Sequence, residues 1–163
     1  MLFRSGRPAA DAAVGRDVIL ETTIRLLKTC TPEQLSILEI ANASGVTRAL
    51  VRYYFGDLKG LLGEVTEHLM RQLQDQMEAV LKMQGTVAER VYQRLLLRFH
   101  FMQAHPQFER LALSEIYHFK TGDDRPPSGT PLQRITRRGL ELTSVMLKEA
   151  SLDQAIDPRF IHL

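Results

Sequence analysis

Ser36-Ile37-Leu38-Glu39-Ile40-Ala41-Asn42-Ala43-Ser44-Gly45-Val46-Thr47-Arg48-Ala49-Leu50-Val51-Arg52-Tyr53-Tyr54-Phe55-Gly56-Asp57 is the stretch of this 163-residue chain that decides its fold. It opens on a capping box, in which Ser36 and Glu39 each satisfy an orphan amide at a helix start. Ile37, Ile40 and Ala41 then recur at helical spacing until Ser44-Gly45 ends the segment. Thr47 is placed to cap a second short helix, and Gly56-Asp57 ends that helix and caps the next. Two short helices joined by a tight glycine turn form the helix-turn-helix pattern, whose second helix is narrow enough to enter a DNA major groove.

The side chains of the second helix divide accordingly. At about 100° per residue, Val51 and Phe55 share one face, with Thr47 at its edge. That face packs inward with Val46 and Ile40. Opposite lie Ala49 and Tyr53, flanked by Arg52, with Arg48 in the first turn. Two guanidiniums, a phenol and a methyl group suit phosphates, base edges and thymine methyls. The first-turn amides and the positive end of the helix dipole favour a phosphate near Thr47.

Outward from this segment the chain reads as all-helical, because apolar residues return every three or four positions and almost nothing alternates with period two. Residues 1–15, basic and alanine-rich without an apolar face, read as a flexible arm. A helix follows from Asp17 to Thr29, with Val18, Ile19, Thr22, Leu26 and Thr29 inward, and Thr31-Pro32-Glu33 breaks it. The helix after Asp57 is long, with a stripe of Leu58, Leu61, Leu62, Val65, Leu69, Leu73, Met77 and Val80. Thr86-Val87-Ala88-Glu89 is a second capping box, and Pro106 separates the helix it opens from another ending near Phe119. Residues 121–131 are a loop. A last helix opens with Thr130 as cap and Pro131 at its first position, with Leu132, Ile135, Leu140, Leu142, Val145 and Met146 along it. Asp157-Pro158 starts one more helix with only five residues to follow, so further chain is expected beyond Leu163. The domains expected are an arm (1–15), a three-helix DNA-binding domain (16–56) and a helical regulatory domain (57–163).

Composition narrows the classes. A hydrophobic fraction of 44% with 25% charged residues is that of a folded, soluble chain. No apolar run approaches the roughly 18 residues of a membrane span, the start lacks an export segment, and the single Cys30 fits a reducing cytoplasm. The net charge of +2 lies entirely in residues 1–60, where eight basic residues face six acids. Glycine-rich phosphate loops, nucleophile elbows and cysteine clusters are absent, so neither catalysis nor a cofactor is expected. Glu115-x-x-His118 has no second copy to complete a carboxylate-bridged bundle, and Glu64 with His68 reads as a surface pair; no metal site is expected. The aromatic run Phe99-His100-Phe101-Met102, with Tyr117 and His118, is core packing by default. Its polar tips among Phe and Met also have the make-up of a ligand pocket, with Met77 and Met146 as adaptable lining. The candidate ligand-binding set is therefore Met77, Phe99, His100, Met102, Tyr117, His118 and Met146.

The string Ile40-Ala41-x-x-x-Gly45-Val46-Thr47-Arg48-Ala49-x-Val51-x-Tyr53-Tyr54-Phe55-Gly56-Asp57 resembles the DNA-binding domain of TetR-type transcriptional regulators. So do the Gly6-Arg7-Pro8 arm and the step straight into a long fourth helix. The resemblance is sequence-specific over Arg16–Leu62 and architectural beyond. It implies base reading by Thr47, Arg48, Ala49 and Tyr53, and phosphate contacts from Arg52, Tyr54 and the start of the fourth helix. Arg52 stands where the family has a tyrosine, and Leu58 where it has a lysine, with Lys59 one place later. Together with Ser36 and the arm residues Arg4 and Arg7, these are the expected DNA contacts. The resemblance further implies a cytoplasmic homodimer on a pseudo-palindromic operator, with recognition helices about 34 Å apart, and a small-molecule inducer held among the later helices that relieves repression. The rival reading is a helical bundle that binds a ligand or metal without binding DNA.

Overall fold

The computed structural model describes residues 9–118 and 131–159. Among them are seven helices and no strand. The all-helical expectation holds. Two compact units emerge, residues Met1–Val65 with His105–Leu111, and Thr66–Ala104 with Ala112–Leu163.

The first unit contains α1 (Ala9–Leu26), a single 3-10 turn (Pro32–Gln34), α2 (Ile37–Ser44), α3 (Arg48–Phe55) and the first turns of α4 (Leu58–Leu81). α1 begins eight residues before the expected Asp17 and takes in much of the expected arm. The run Ala9-Ala10-Asp11-Ala12-Ala13 has no apolar stripe, but alanine is the strongest helix former and needs none. Its inner stripe keeps Ile19 and Thr22 of the expected set and is otherwise shifted. Ile19, Leu20, Thr22, Thr23 and Leu27 are buried, whereas Val18 and Thr29 face outward. The buried Thr23 hydroxyl donates to the Ile19 carbonyl at 2.8 Å, which satisfies it inside the unit.

The unit extends into the first turns of α4, for two reasons visible in its packing. Leu61 and Val65, in the first turns of α4, are fully buried. Arg16 of α1 donates to Glu64 of α4 at 2.6 Å and lies 5.3 Å from the centre of the Phe55 ring of α3, so one guanidinium ties three helices. Glu64 therefore pairs with Arg16 rather than with His68. The start of α6 (Phe108–His118) belongs here too, and Arg110 donates to Glu33 of the 3-10 turn at 3.1 Å.

The second unit holds the rest of α4 and of α6, α5 (Val87–Ala104) and α7 (Pro131–Glu149). Leu69, Leu73, Met77 and Val80 of α4 are buried as expected. The second capping box is intact, with Glu89 N–H donating to Thr86 Oγ1 at 3.2 Å and Thr86 N–H to Glu89 at 2.7 Å. On α7, Thr143, Met146 and Leu147 are buried, whereas Val145 faces outward. Leu81, Met146 and Leu147 form a core against which Val87, Val91, Leu142, Leu152 and Ile156 pack. A buried arginine, Arg94 of α5, donates to Thr143 Oγ1 at 2.6 Å and to the Met77 sulfur at 3.1 Å. Burial pulls its pKa down, as does the neighbouring Arg98.

Glu78 links α4 to α7. It accepts a forked pair of bonds from Arg138 at 2.8 and 2.9 Å, and one from Lys82 at 2.7 Å. The Arg138 hydrogen bonds, then that of Lys82, hold its pKa down from 4.5 to about 2. A depressed native value means that the unfolded chain takes up the proton first. The stabilisation is thus fully present above about pH 4.5 and is lost as the pH falls towards about 2. Thermal melts across that window should show a falling midpoint for the native chain and a shallower fall for Glu78→Gln; equal slopes would refute the assignment.

Candidate nucleic-acid interface

Local rules explain how α3 is held. Glu39 N–H donates to Ser36 Oγ at 3.2 Å and Ser36 N–H returns to the Glu39 carboxylate at 2.9 Å, so the capping box closes at the head of α2. α2 ends at Gly45, whose φ of 69° and ψ of 26° lie in the left-handed region; a side chain there is strained. Val46 N–H then donates back to the Ala41 carbonyl at 3.0 Å, which closes the turn. Thr47 caps α3 by accepting from Leu50 N–H at 3.2 Å. Gly56, with φ of 75°, releases the chain, and Asp57 caps α4 by accepting from Gly60 N–H at 2.7 Å.

Packing fixes which side of α3 is free. Val51 is fully buried and Phe55 nearly so, beside the fully buried Ile40 of α2. Arg48, Ala49 and Arg52 are all exposed, and Tyr53 is 79% exposed. α3 carries no acidic residue, and neither of its arginines forms an ion pair among the described residues. The face therefore presents uncompensated positive charge, a phenol and a methyl group to solvent. Arg52 sits in the last turn, where the helix dipole favours a cation.

The other expected DNA-binding residues fall in different places. Thr47 and Lys59 are exposed at the starts of α3 and α4. Tyr54 is half-buried, and its ring and hydroxyl lie within ordinary contact of the space beside Gly15 on α1, 3.7 Å from where a methyl group would stand. Its ring also meets Tyr53 edge-on at 5.1 Å. Tyr54 thus helps to seat α3 as well as bordering the free face. Ser36 is exposed, but its hydroxyl is engaged with Glu39. Arg4 and Arg7 lie outside the described residues.

The expected ligand-binding set is dispersed. Met77 and Met146 are buried in the second unit and Met102 is half-buried. Phe99 and His100 are exposed, their rings edge-on at 5.7 Å. The inward face of α5 carries Arg94 and Phe101, and at helical spacing that turns positions 99 and 100 outward. The side chains of Tyr117 and His118 lie outside the described ones. Among the described residues no three His, Cys, Asp or Glu side chains converge as a metal site would need, and no helix is long and apolar enough to cross a membrane.

Three contributors to the interface were not anticipated from sequence: Arg16, which ties α1, α3 and α4; Gly15, which leaves room for Tyr54; and Gly60. A methyl group added to Gly60 would stand 2.2 Å from the Phe55 carbonyl oxygen. The spacing Asp57-x-x-Gly60 was the available signal, because it marks a cap whose third residue turns back on the preceding helix.

No protein-family model matches the chain. Among curated proteins it is similar to the HTH-type transcriptional regulators BetI of Brucella canis and Brucella suis. Each is 26% identical over 109 residues, 67% of this chain and 55% of the relative. The chain thus spans about half the length of the curated relatives it matches. Among solved structures, a Clostridium perfringens protein named for the regulation of fatty acid metabolism superposes with a TM-score of 0.57 at 15% identity, covering 89% of this chain and 78% of that one. The TetR family repressor AlkX from Dietzia sp. strain DQ12-45-1b superposes with a TM-score of 0.53 at 14% identity, covering 90% and 74%. These likenesses extend over most of the described residues and identify the fold.

Proposed function

The chain is of the TetR type in fold, and from that premise we propose that it is a DNA-binding transcriptional regulator, acting as a homodimeric repressor on a pseudo-palindromic operator. The observation that carries this reading is the free face of α3: Arg48, Ala49, Arg52 and Tyr53 stand in solvent while Val51 and Phe55 anchor the helix from behind. A guanidinium in the first turn suits the O6/N7 edge of guanine, and a methyl group suits that of thymine. Arg52 and Lys59 take phosphates, as do the free amides at the Thr47 end. Tyr53 reads or stacks against the groove wall, Tyr54 reaches a phosphate from the edge, and the arm residues Arg4 and Arg7 follow the minor groove.

A small-molecule inducer binds the second unit, and the protein works in the cytoplasm without enzymatic activity of its own. The inducer releases DNA only as far as its affinity differs between the DNA-competent and DNA-incompetent states. Nuclease footprinting on the DNA flanking the gene tests the core of this reading. Two protected half-sites with centres about 34 Å apart, related by a dyad, are expected. Protection independent of sequence, or none at low salt, would overturn it.

A further inference from the structure

At one end of the second unit the last turn of α4, the Lys82–Gly85 turn, the start of α5 and the last turns of α7 surround an open cleft of about 480 Å³. That volume is within the range of small-molecule sites. Leu81 and Met146, both buried, form its floor. Met83 and Val145 stand on its walls with about half of their surface in solvent, 51% and 53% exposed. Two large apolar side chains left wet around one concavity are a preformed apolar surface rather than packed core.

One side of the cleft is closed by Arg90. Its Nη1–H donates to the Leu81 carbonyl at 3.1 Å and to one oxygen of Glu149 at 3.0 Å. Its side chain is only 13% exposed, against 55% for Glu149, and its Nε–H is shielded from water with no acceptor. The guanidinium is therefore held by the backbone, largely desolvated, and short of one acceptor. Its carboxylate partner is the solvent-facing, single-bonded member of the pair. A second carboxylate that brought its two oxygens to Nη1 and Nη2 would hold the guanidinium by two parallel bonds where Glu149 engages Nη1 alone.

We propose that this cleft binds an amphipathic monocarboxylate, with its apolar chain along Met83, Val145 and Leu142 and its head group on Arg90 in place of Glu149. The site lies wholly within the second unit and does not rest on the DNA-binding reading. DNA affinity is a separate measurement, so either idea fails alone.

The test uses the whole chain carrying ¹³C-methyl methionine, whose six methionines report separately, titrated with octanoate, 1-octanol and octylamine. Octanoate is expected to shift the Met83 and Met146 methyl signals, with octanol and octylamine binding at least about tenfold more weakly for want of a charge-assisted pair. Glu149→Gln, which frees the guanidinium, is expected to tighten octanoate binding severalfold. Arg90→Gln is expected to weaken it about tenfold. Because that variant also removes internal bonds, Val145→Asp at an exposed position is the companion: tenfold weaker octanoate binding at an unchanged melting temperature. Shifts confined to Met77 and Met102, octanol binding as tightly as octanoate, or wild-type binding by Val145→Asp would each overturn the proposal.

Discussion

Replacing Arg48 and Arg52 together with alanine should lower operator affinity at least a hundredfold while leaving the circular-dichroism spectrum and melting temperature unchanged. Both side chains are exposed and form no ion pair among the described residues, so removing them takes nothing from the packing of the unit. Surface substitutions of this kind change stability by about 0.5 kcal/mol or less. On DNA the loss is different in kind, because a hydrogen bond to a charged partner contributes about 1.5–3 kcal/mol and each factor of ten in affinity is about 1.4 kcal/mol. In a homodimer each such bond is removed twice.

The two arginines should also separate from each other. Arg52 as a phosphate ligand predicts uniform weakening across sequences and a salt slope reduced by about one for each phosphate no longer neutralised. Arg48 as a base reader predicts relaxed preference at one position of each half-site. Fluorescence anisotropy on matched and mismatched duplexes, from about 50 to 200 mM salt, distinguishes these outcomes. A double variant that binds operator with native affinity would leave the free face of α3 without a role.

How much of this was legible in the sequence follows from how local each signal is. Ser36 with Glu39, Gly45, Thr47, Gly56 and Asp57 each act within four residues, and the structure has each doing what the residue type requires. The burial of Val51 and Phe55 also followed from period alone, because a short amphipathic helix between two caps has one way to face. α1 was harder. Alanines supply propensity without a stripe, so its first turns carry no periodic signal. Thr22 was placed inward by period, but the buried Thr23 looks polar on paper and is accommodated by bonding its own helix. The remaining features join residues far apart in the chain. Arg16 reaches Phe55 and Glu64, Arg94 reaches Met77 and Thr143, and nothing in the neighbours of either arginine announces that partnership. The exposed Phe99 and His100 illustrate the converse: an aromatic run on a helix must turn part of itself outward, and which part depends on what the next helices bring.

Gly60→Ala should destabilise the first unit by roughly 2–4 kcal/mol. Helix propensity alone argues the other way. Gly60 lies in the first turn of α4, where alanine gains up to about 1 kcal/mol over glycine and also restricts the unfolded chain. The geometry overrides this. Asp57 draws Gly60 N–H onto its carboxylate at 2.7 Å, and the chain doubles back so that the added methyl group would stand 2.2 Å from the carbonyl oxygen of Phe55. A side chain could rotate out of such an overlap, but a backbone carbonyl at the end of a helix cannot. Either the last turn of α3 or the first turn of α4 has to move, and both carry buried anchors, Phe55 on one side and Leu61 on the other. The same displacement tilts α3, so DNA affinity should fall with stability, although Gly60 offers no side chain to DNA. Lys59→Ala is the control, because position 59 is exposed: its melting temperature should match the native one, with only a modest loss on DNA. Thermal melts of the two variants decide the matter, and a Gly60→Ala protein as stable as the native chain would show that the α3–α4 corner yields more easily than a methyl group pressed on a backbone carbonyl should allow.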